Sequence, residues 1–415
     1  MKRQIVSLYH GSFTGGSKNT SRFLNYLSNM EYHVDAFFFD IPPYFENTIT
    51  NVSTFSISQR ILNSEVINST RLQDSLMEDM LISHLKFKDN YILFSEYLFP
   101  YCNILLNVKS KIYNFLNCNP QLIIHPVGSD IWEIGPQFKS SVKFILESSL
   151  VHRIFTYSDS FIEEIKSFYN IQKRIDVINP VIDKSVFYPI DDHERMERKG
   201  KVGISNEEFV IHHHSSMKKI KCPGVILEIC KIATLSIGQK CTLIMAGPIP
   251  FELLKINRIE IVSIPNSKYF KFKSQIGKLT VLWTGLTTNV EFLLQLSDVE
   301  LNSSLHDSFN ISLLEAMACG IPVITSDIVG IKKHIMCAEA GICFPTQKLN
   351  FDDLNKVLKT SNQGCDYFDV DYAVDALKFL MKNRSTQMGS NGADYTSRHF
   401  NFDIAYKQFN DIVNE

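Results

Sequence analysis

The sequence has almost no net charge: its 42 basic and 44 acidic residues leave a formal charge of −2. No overall field therefore draws it to nucleic acid or to an anionic bilayer. It has nine cysteines but no Cys-x-x-Cys pair, and several of them stand in apolar runs. That is the pattern of reduced, buried thiols in a cytoplasm, and it excludes a disulfide framework and a zinc knuckle. Long hydrophobic runs are missing too. After the basic Met1-Lys2-Arg3-Gln4, the apolar stretch Ile5 to Tyr9 is too short for the core of a signal peptide. The window Tyr91 to Asn107 is interrupted by Glu96, Pro100 and Asn103 and does not read as a membrane span. A cytoplasmic protein is expected, and association with the inner face of a membrane is compatible with this composition. The glycine loop near the amino terminus lacks the spacing of a dinucleotide fingerprint and the Gly-Lys-Ser/Thr of a P-loop.

What is present is a soluble globular composition, 45% hydrophobic and 21% charged, on a chain of 415 residues that is too long for one ordinary core. Strand and helix patterns alternate. Ile5 to Tyr9 reads as a buried strand, followed by a loop with Gly15-Gly16 and an amphipathic run from Thr20 to Asn29. Val34 to Asp40 is the next strand, and helices are expected at Ile57 to Leu62 and Arg71 to Leu85. The aromatic-rich section up to residue 120 has no clear period. Gln121 to Ile124 is then a strand running into a loop with His125, Gly128, Ser129 and Asp130. The charged, apolar-poor stretch 188–205 reads as a linker, after which alternation resumes. The expected organisation is a Rossmann-like domain over 1–187, a linker over 188–205, a second such domain over 206–395 and a terminal helix over 396–415 that packs back across the hinge. Two open α/β domains imply a cleft between them.

The densest stretch is His306 to Ile324. Asn302 to Asp307 is a polar loop, Ser308 or Asn310 is the candidate N-cap, and a helix runs from Ile311 to about Ala318 before a strand at Pro322 to Thr325. A helix start of this kind presents unpaired N–H groups to an anion, and its flanking acids suit sugar hydroxyls. Ordinary helix packing explains the same residues equally well at this point, with Glu315 as a first-turn dipole partner.

Several separated stretches tip that balance. Asp307, seven residues, then Glu315-Ala316-Met317-Ala318-Cys319-Gly320-Ile321-Pro322-Val323 resembles the retaining GT-B glycosyltransferases of the family 4 type, or glycosyl transferases group 1. The resemblance extends to Gly15-Gly16, to His125 with Gly128-Ser129-Asp130, to Thr156 through Ser160, and to Val177 through Asp183. It implies a GT-B fold of two facing α/β domains, with the acceptor side in the first and the donor side in the second. It implies a retaining, metal-independent transferase of hexosyl type, acting in glycan or cell-surface polysaccharide biosynthesis. The donor would be a nucleotide sugar, UDP- or GDP-linked, used as a substrate with no further cofactor. The acceptor would be a glycan, a lipid-linked molecule or another hydroxyl compound.

Carried over residue by residue, the resemblance implies that Glu315 holds the donor ribose and Asp307 the transferred sugar. The backbone around Phe309, Asn310, Ile311 and Ser312 would meet the diphosphate, and Gly15, Gly16 and His125 would face the donor phosphates and reacting sugar. In His213 to Pro223, Lys221 matches the family lysine. Lys218 or Ser216 stands where the family has an arginine, depending on the subgroup, and Cys222 and Asn310 replace glycines. Lysine is a point charge and does not reproduce a guanidinium fork. Two rival readings follow: a catalytically impaired nucleotide- or glycan-binding protein, motivated by the missing arginine, and a sugar-nucleotide epimerase of the same fold.

Overall fold

Short apolar runs near the amino terminus pair into a parallel sheet, and the helices between them cover its faces. The computed structural model describes residues 3–8, 15–38, 52–56, 70–85, 91–98, 102–116, 119–132, 138–359, 365–383 and 386–415. The chain forms two units, Met1–Val181 with Phe400–Glu415, and Ile182–His399.

The first unit holds β1 (Arg3–Leu8), β2 (Tyr32–Phe38), β3 (Val52–Ser56), β4 (Tyr91–Ser95), β5 (Gln121–Ile124), β6 (Arg153–Thr156) and β7 (Asp176–Val177). Among the described residues they lie in the order β3-β2-β1-β4-β5-β6-β7, every pairing parallel. Parallel sheets need both faces covered, so their strands carry continuous apolar runs. Ile5, Val34, Ile92, Ile123 and Phe155 form the core with Phe23, Leu24 and Leu27 of the first helix. The carboxyl-terminal helix Phe402–Asn414 belongs to this core through Ala405, Phe409, Ile412 and Val413. The helix expected at Ile57 to Leu62 lies outside the described residues, whereas the one expected from Arg71 is found as Thr70–Leu85. The aperiodic section resolves into β4 and the helix Asn103–Leu116.

The second unit contains β8 (Phe209–His214), β9 (Cys241–Ala246), β10 (Val262–Ser263), β11 (Phe272–Ile276), β12 (Leu279–Gly285), β13 (Val299–Asn302), β14 (Val323–Ser326) and β15 (Gly341–Phe344). Their order is β10-β11-β12-β9-β8-β13-β14-β15, parallel from β12 to β15 with an antiparallel edge at β10 and β11.

The stretch 188–205 is not a linker. Asp191 caps the helix Asp192–Lys201 by accepting the Glu194 N–H at 2.8 Å. Lys199 is buried, pairing with Asp298 at 3.0 Å and donating to the Glu208 carbonyl at 3.0 Å. The charge density that reads as solvated is a helix pinned at one buried ammonium, so this segment joins the second unit. No helix among the described residues is long and apolar enough to cross a membrane.

Candidate functional site

Chain order sets the place. From β8 the chain moves to β9 on one side, and β13 later returns to the other side of β8. That reversal makes the carboxyl ends of β8 and β13 a topological switch point, the kind of place where open α/β sheets bind ligands.

The loop after β8 runs through a 3-10 turn, Lys219–Lys221, into the helix Pro223–Ile237. The loop after β13 runs into the helix Ile311–Ala318. They are stitched together. Leu305 N–H donates to the Ile220 carbonyl at 2.8 Å, and the Ser303 hydroxyl donates to the Cys222 carbonyl at 3.0 Å. The Lys221 ammonium pairs with the Asp307 carboxylate, their side chains 20% and 14% exposed. Glu315 accepts from His214 Nε2 at 3.1 Å. The structure thus brings Lys221 to Asp307, and Glu315 to the end of β8. Lys218 is exposed just before the 3-10 turn, and Ser216 is exposed as well. Phe309 is buried, so only its backbone is offered.

Cys222 and Asn310, which the resemblance sets against glycines, both adopt left-handed backbone. Asn310 has φ 81° and Cys222 has φ 43°. Left-handed backbone is routine for glycine and tolerated by asparagine, but costly for most other side chains. Asn310 is the N-cap: its Oδ1 accepts from Leu313 N–H at 3.3 Å and from the Ser312 hydroxyl at 2.6 Å. Its Nδ2 is buried without a hydrogen-bond partner. The first-turn N–H groups of Ile311 and Ser312 point out of the helix end beside it.

Three consecutive histidines end β8, and strand alternation splits them between its faces. On one face His213 Nδ1 donates to the Leu301 carbonyl at 2.8 Å, leaving Nε2 to accept from Ser215 at 2.9 Å. Burial pushes this imidazole down to about 4. On the other face His212 Nδ1 lies 2.6 Å from Glu300 Oε2, and His214 Nδ1 lies 3.3 Å from Glu300 Oε1. Burial holds His212 below its usual value. For His214 burial pulls the same way, but the Glu300 and Glu315 carboxylates outweigh it and raise the imidazole to about 9. Glu300 is held at about 2 because its two histidines overcome the upward push of burial. His212, His214 and Glu300 also bring ligand-type atoms within 4.8 Å of one another. The 2.6 Å separation is nevertheless a hydrogen bond, since two ligands of one tetrahedral zinc stand about 3.3 Å apart. The one Asp-x-Asp triplet, Asp369-Val370-Asp371, opens the helix Val370–Asn383, where Asp369 accepts the Tyr372 N–H at 2.9 Å as a cap.

In the first unit Gly15 and Gly16 are not loop residues but the first turn of the helix Gly15–Asn29, five residues earlier than the apolar periodicity predicts. His125 follows β5, is buried, and stacks on Phe155 at 4.4 Å between ring centroids. Its Nδ1 donates to the Phe155 carbonyl at 3.0 Å, and Nε2 has no hydrogen-bond partner among the described residues. Burial outweighs that bond and lowers the imidazole to about 4, so it is neutral with Nε2 as an acceptor. It lines a small cavity with Asn19, Thr20, Tyr157 and Asn179. Asp130 spends its carboxylate on the backbone N–H groups of Val127, Gly128 and Leu98 at 3.1, 2.9 and 3.0 Å, which shapes the loop that carries His125.

Sequence reasoning gave no role to His214 or Glu300. The available signal was the His212-x-His214 alternation at a strand end, but the partner acid lies 86 to 88 residues away and is supplied only by the β8–β13 register.

Residues 194–362 match the family described as glycosyl transferases group 1. N-acetyl-alpha-D-glucosaminyl L-malate synthase of Bacillus anthracis is 30% identical over 217 residues, covering 52% of this chain and 51% of that protein. The chain thus matches about half the length of this curated relative. Among solved structures, sucrose-phosphate synthase from Thermosynechococcus elongatus superposes with a TM-score of 0.71 at 15% identity, over 100% of this chain and 98% of that one. Anabaena HepE, solved with UDP and glucose, gives a TM-score of 0.67 at 13% identity, over 99% of both chains. Residues 194–362 thus match the glycosyl transferases group 1 family model, and the chain's two parallel α/β units have the GT-B fold.

Proposed function

We propose that this protein transfers a sugar from a nucleoside diphosphate donor to a hydroxyl acceptor, with retention at the anomeric carbon and without a metal. The carrying observation is the convergence at the β8/β13 switch point of Lys221 paired with Asp307, Glu315 held by His214, and the helix start capped by Asn310. Charge at that place is matched to the donor. Glu315 accepts from ribose hydroxyls and Asp307 from sugar hydroxyls, as strong charge-assisted bonds. Lys221 and the helix N–H groups meet the diphosphate, with Lys218 as a second cation.

In the reaction the bond from the anomeric carbon to the phosphate oxygen breaks and one from the acceptor oxygen forms on the same face. The acceptor proton passes to the departing phosphate. The main charge to stabilise is on that phosphate, and fixed cations and amides do so without covalent chemistry. In the first unit, His125 is neutral with Nε2 as an acceptor, which suits a sugar hydroxyl. Uridine is the favoured nucleobase because a solved neighbour of this fold carries UDP, and guanosine is the alternative. Glycan or cell-surface polysaccharide synthesis is the matching pathway class.

A panel of sugar nucleotides with sugar and lipid-linked acceptors tests this reading in the wild type, Glu315→Ala and Lys221→Ala. Lys221→Ala is expected to lower turnover by about 10²- to 10³-fold. Equal transfer by all three proteins, or no donor binding by the wild type, refutes it. Donor conversion with no acceptor present replaces it with epimerisation.

A further inference from the structure

Behind the loop ends lies a line of ionisable side chains that runs from the core of the sheet to Glu315. Glu300 on β13 is fully buried and takes His212 at 2.6 Å on one oxygen. Its other oxygen accepts the His214 backbone N–H at 3.2 Å and faces His214 Nδ1 at 3.3 Å. His214 Nε2 then reaches Glu315 at 3.1 Å. Both ring nitrogens of His214 therefore face carboxylate oxygens. Nδ1 makes no hydrogen bond at that distance, but two ionised carboxylates facing the ring favour its protonated form.

We propose that His214 is a positioning residue for donor recognition: held between Glu300 and Glu315, its cation fixes the Glu315 carboxylate, ionised and oriented, for the ribose hydroxyls. This rests on the reading of Glu315 as the ribose contact. Glu300 is the anchor, since its place opposite His212 is set by the strand register, one oxygen accepts from His212 Nδ1 and the other from the His214 backbone N–H. The groups facing His214 are Glu300 from β13, Glu315 from the helix Ile311–Ala318 and His212 on its own strand, while His213 interacts with it electrostatically from the other face. The last two are neutral through burial, so the single positive charge of the group sits on His214. Without it, two carboxylates share a poorly solvated region, and one of them takes a proton or turns away. A protonated Glu315 is the weaker acceptor for a diol.

Calorimetric titration with UDP and 2′-deoxy-UDP reads the contact directly; GDP and its 2′-deoxy analogue replace them if GDP binds the wild type more tightly. The wild type is expected to prefer the ribonucleotide by about 10- to 100-fold, the weight of a hydrogen bond to a charged group. Glu315→Ala removes that preference. His214→Leu is expected to reduce it to the same level, with the double variant no worse than either single one, because both act through one contact. His214→Leu leaves Glu300 without its cation, so His214→Leu/Glu300→Gln, which removes that buried charge, is measured beside it and is expected to show the same collapse. If either folded His214 variant keeps the wild-type preference while Glu315→Ala loses it, the positioning role is wrong. If Glu315→Ala keeps the preference, or neither nucleotide binds the wild type, the underlying donor reading is wrong.

Discussion

Asn310 occupies a backbone conformation that few residues tolerate while also capping the helix that carries Glu315, so two substitutions there separate the two effects. At φ 81° an alanine costs about 1–2 kcal/mol of left-handed strain. It also removes the oxygen that accepts from Leu313 N–H and the Ser312 hydroxyl, a cap worth about 1 kcal/mol. Asn310→Ala is therefore expected to destabilise the second unit by about 2–3 kcal/mol. Glycine relieves strain, loses only a few tenths of a kcal/mol of capping, and adds about 0.4–1 kcal/mol of unfolded-state entropy. Asn310→Gly should accordingly cost about 1 kcal/mol or less. The chain has two tryptophans, Trp132 in the first unit and Trp283 in the second, both buried. In a Trp132→Phe background, urea unfolding followed by tryptophan fluorescence reports the second unit alone. Alanine and glycine variants with the same midpoint, or glycine the less stable of the two, would refute the left-handed cap as the reason for asparagine.

A β-carbon at Gly389 would stand 2.0 Å from the Gly320 carbonyl oxygen, whereas at Gly392 the nearest contact is 3.2 Å from the Ala340 β-carbon. Gly389→Ala is thus expected to push the helix Thr386–His399 off the helix Ile311–Ala318 and cost about 1–3 kcal/mol, clearly more than Gly392→Ala, in the same fluorescence assay. The His214 imidazole is raised to about 9 in the fold, so its stabilisation is complete below about pH 6.5 and is lost as pH rises through 9. Glu300 is held at about 2, so its contribution is complete above about pH 4.5 and is lost as pH falls towards 2. Unfolding midpoints between pH 6 and 10 should fall in the wild type and flatten in His214→Gln; an equally steep fall in both would refute the assignment. His125→Ala leaves the buried Phe155 carbonyl without its donor and is expected to destabilise the first unit by about 1–3 kcal/mol, read from Trp132 in a Trp283→Phe background.

Much of the architecture is legible in the chain because it depends on near neighbours. Buried runs such as Ile5 to Leu8 and Cys241 to Ala246 announce parallel strands, and the stretch from Asp307 to Gly320 carries its own loop, cap, helix and stop. The errors have local causes as well. The helix Asp192–Lys201 looks like a linker because its anchoring contacts lie far along the chain: Lys199 and Arg195 meet Asp298, and Arg198 meets Gln295. The start of the first helix at Gly15 is not legible because glycines and polar residues carry no apolar period by which to mark it.

The sequence by itself determined the α/β alternation, the two-domain size and the local loop-cap-helix pattern around Asp307 and Glu315, since residue type and short spacing carry that information. Only the tertiary structure decided which charges meet. Lys221 finds Asp307 across 86 residues, and His214 finds Glu315 across 101, because strand order places β8 beside β13 and their loops at one switch point. The same strand pairing buries Glu300 against His212 and His214, and the balance of burial against carboxylates sets which histidine is charged: low dielectric neutralises His212 and His213, while two carboxylates keep the proton on His214.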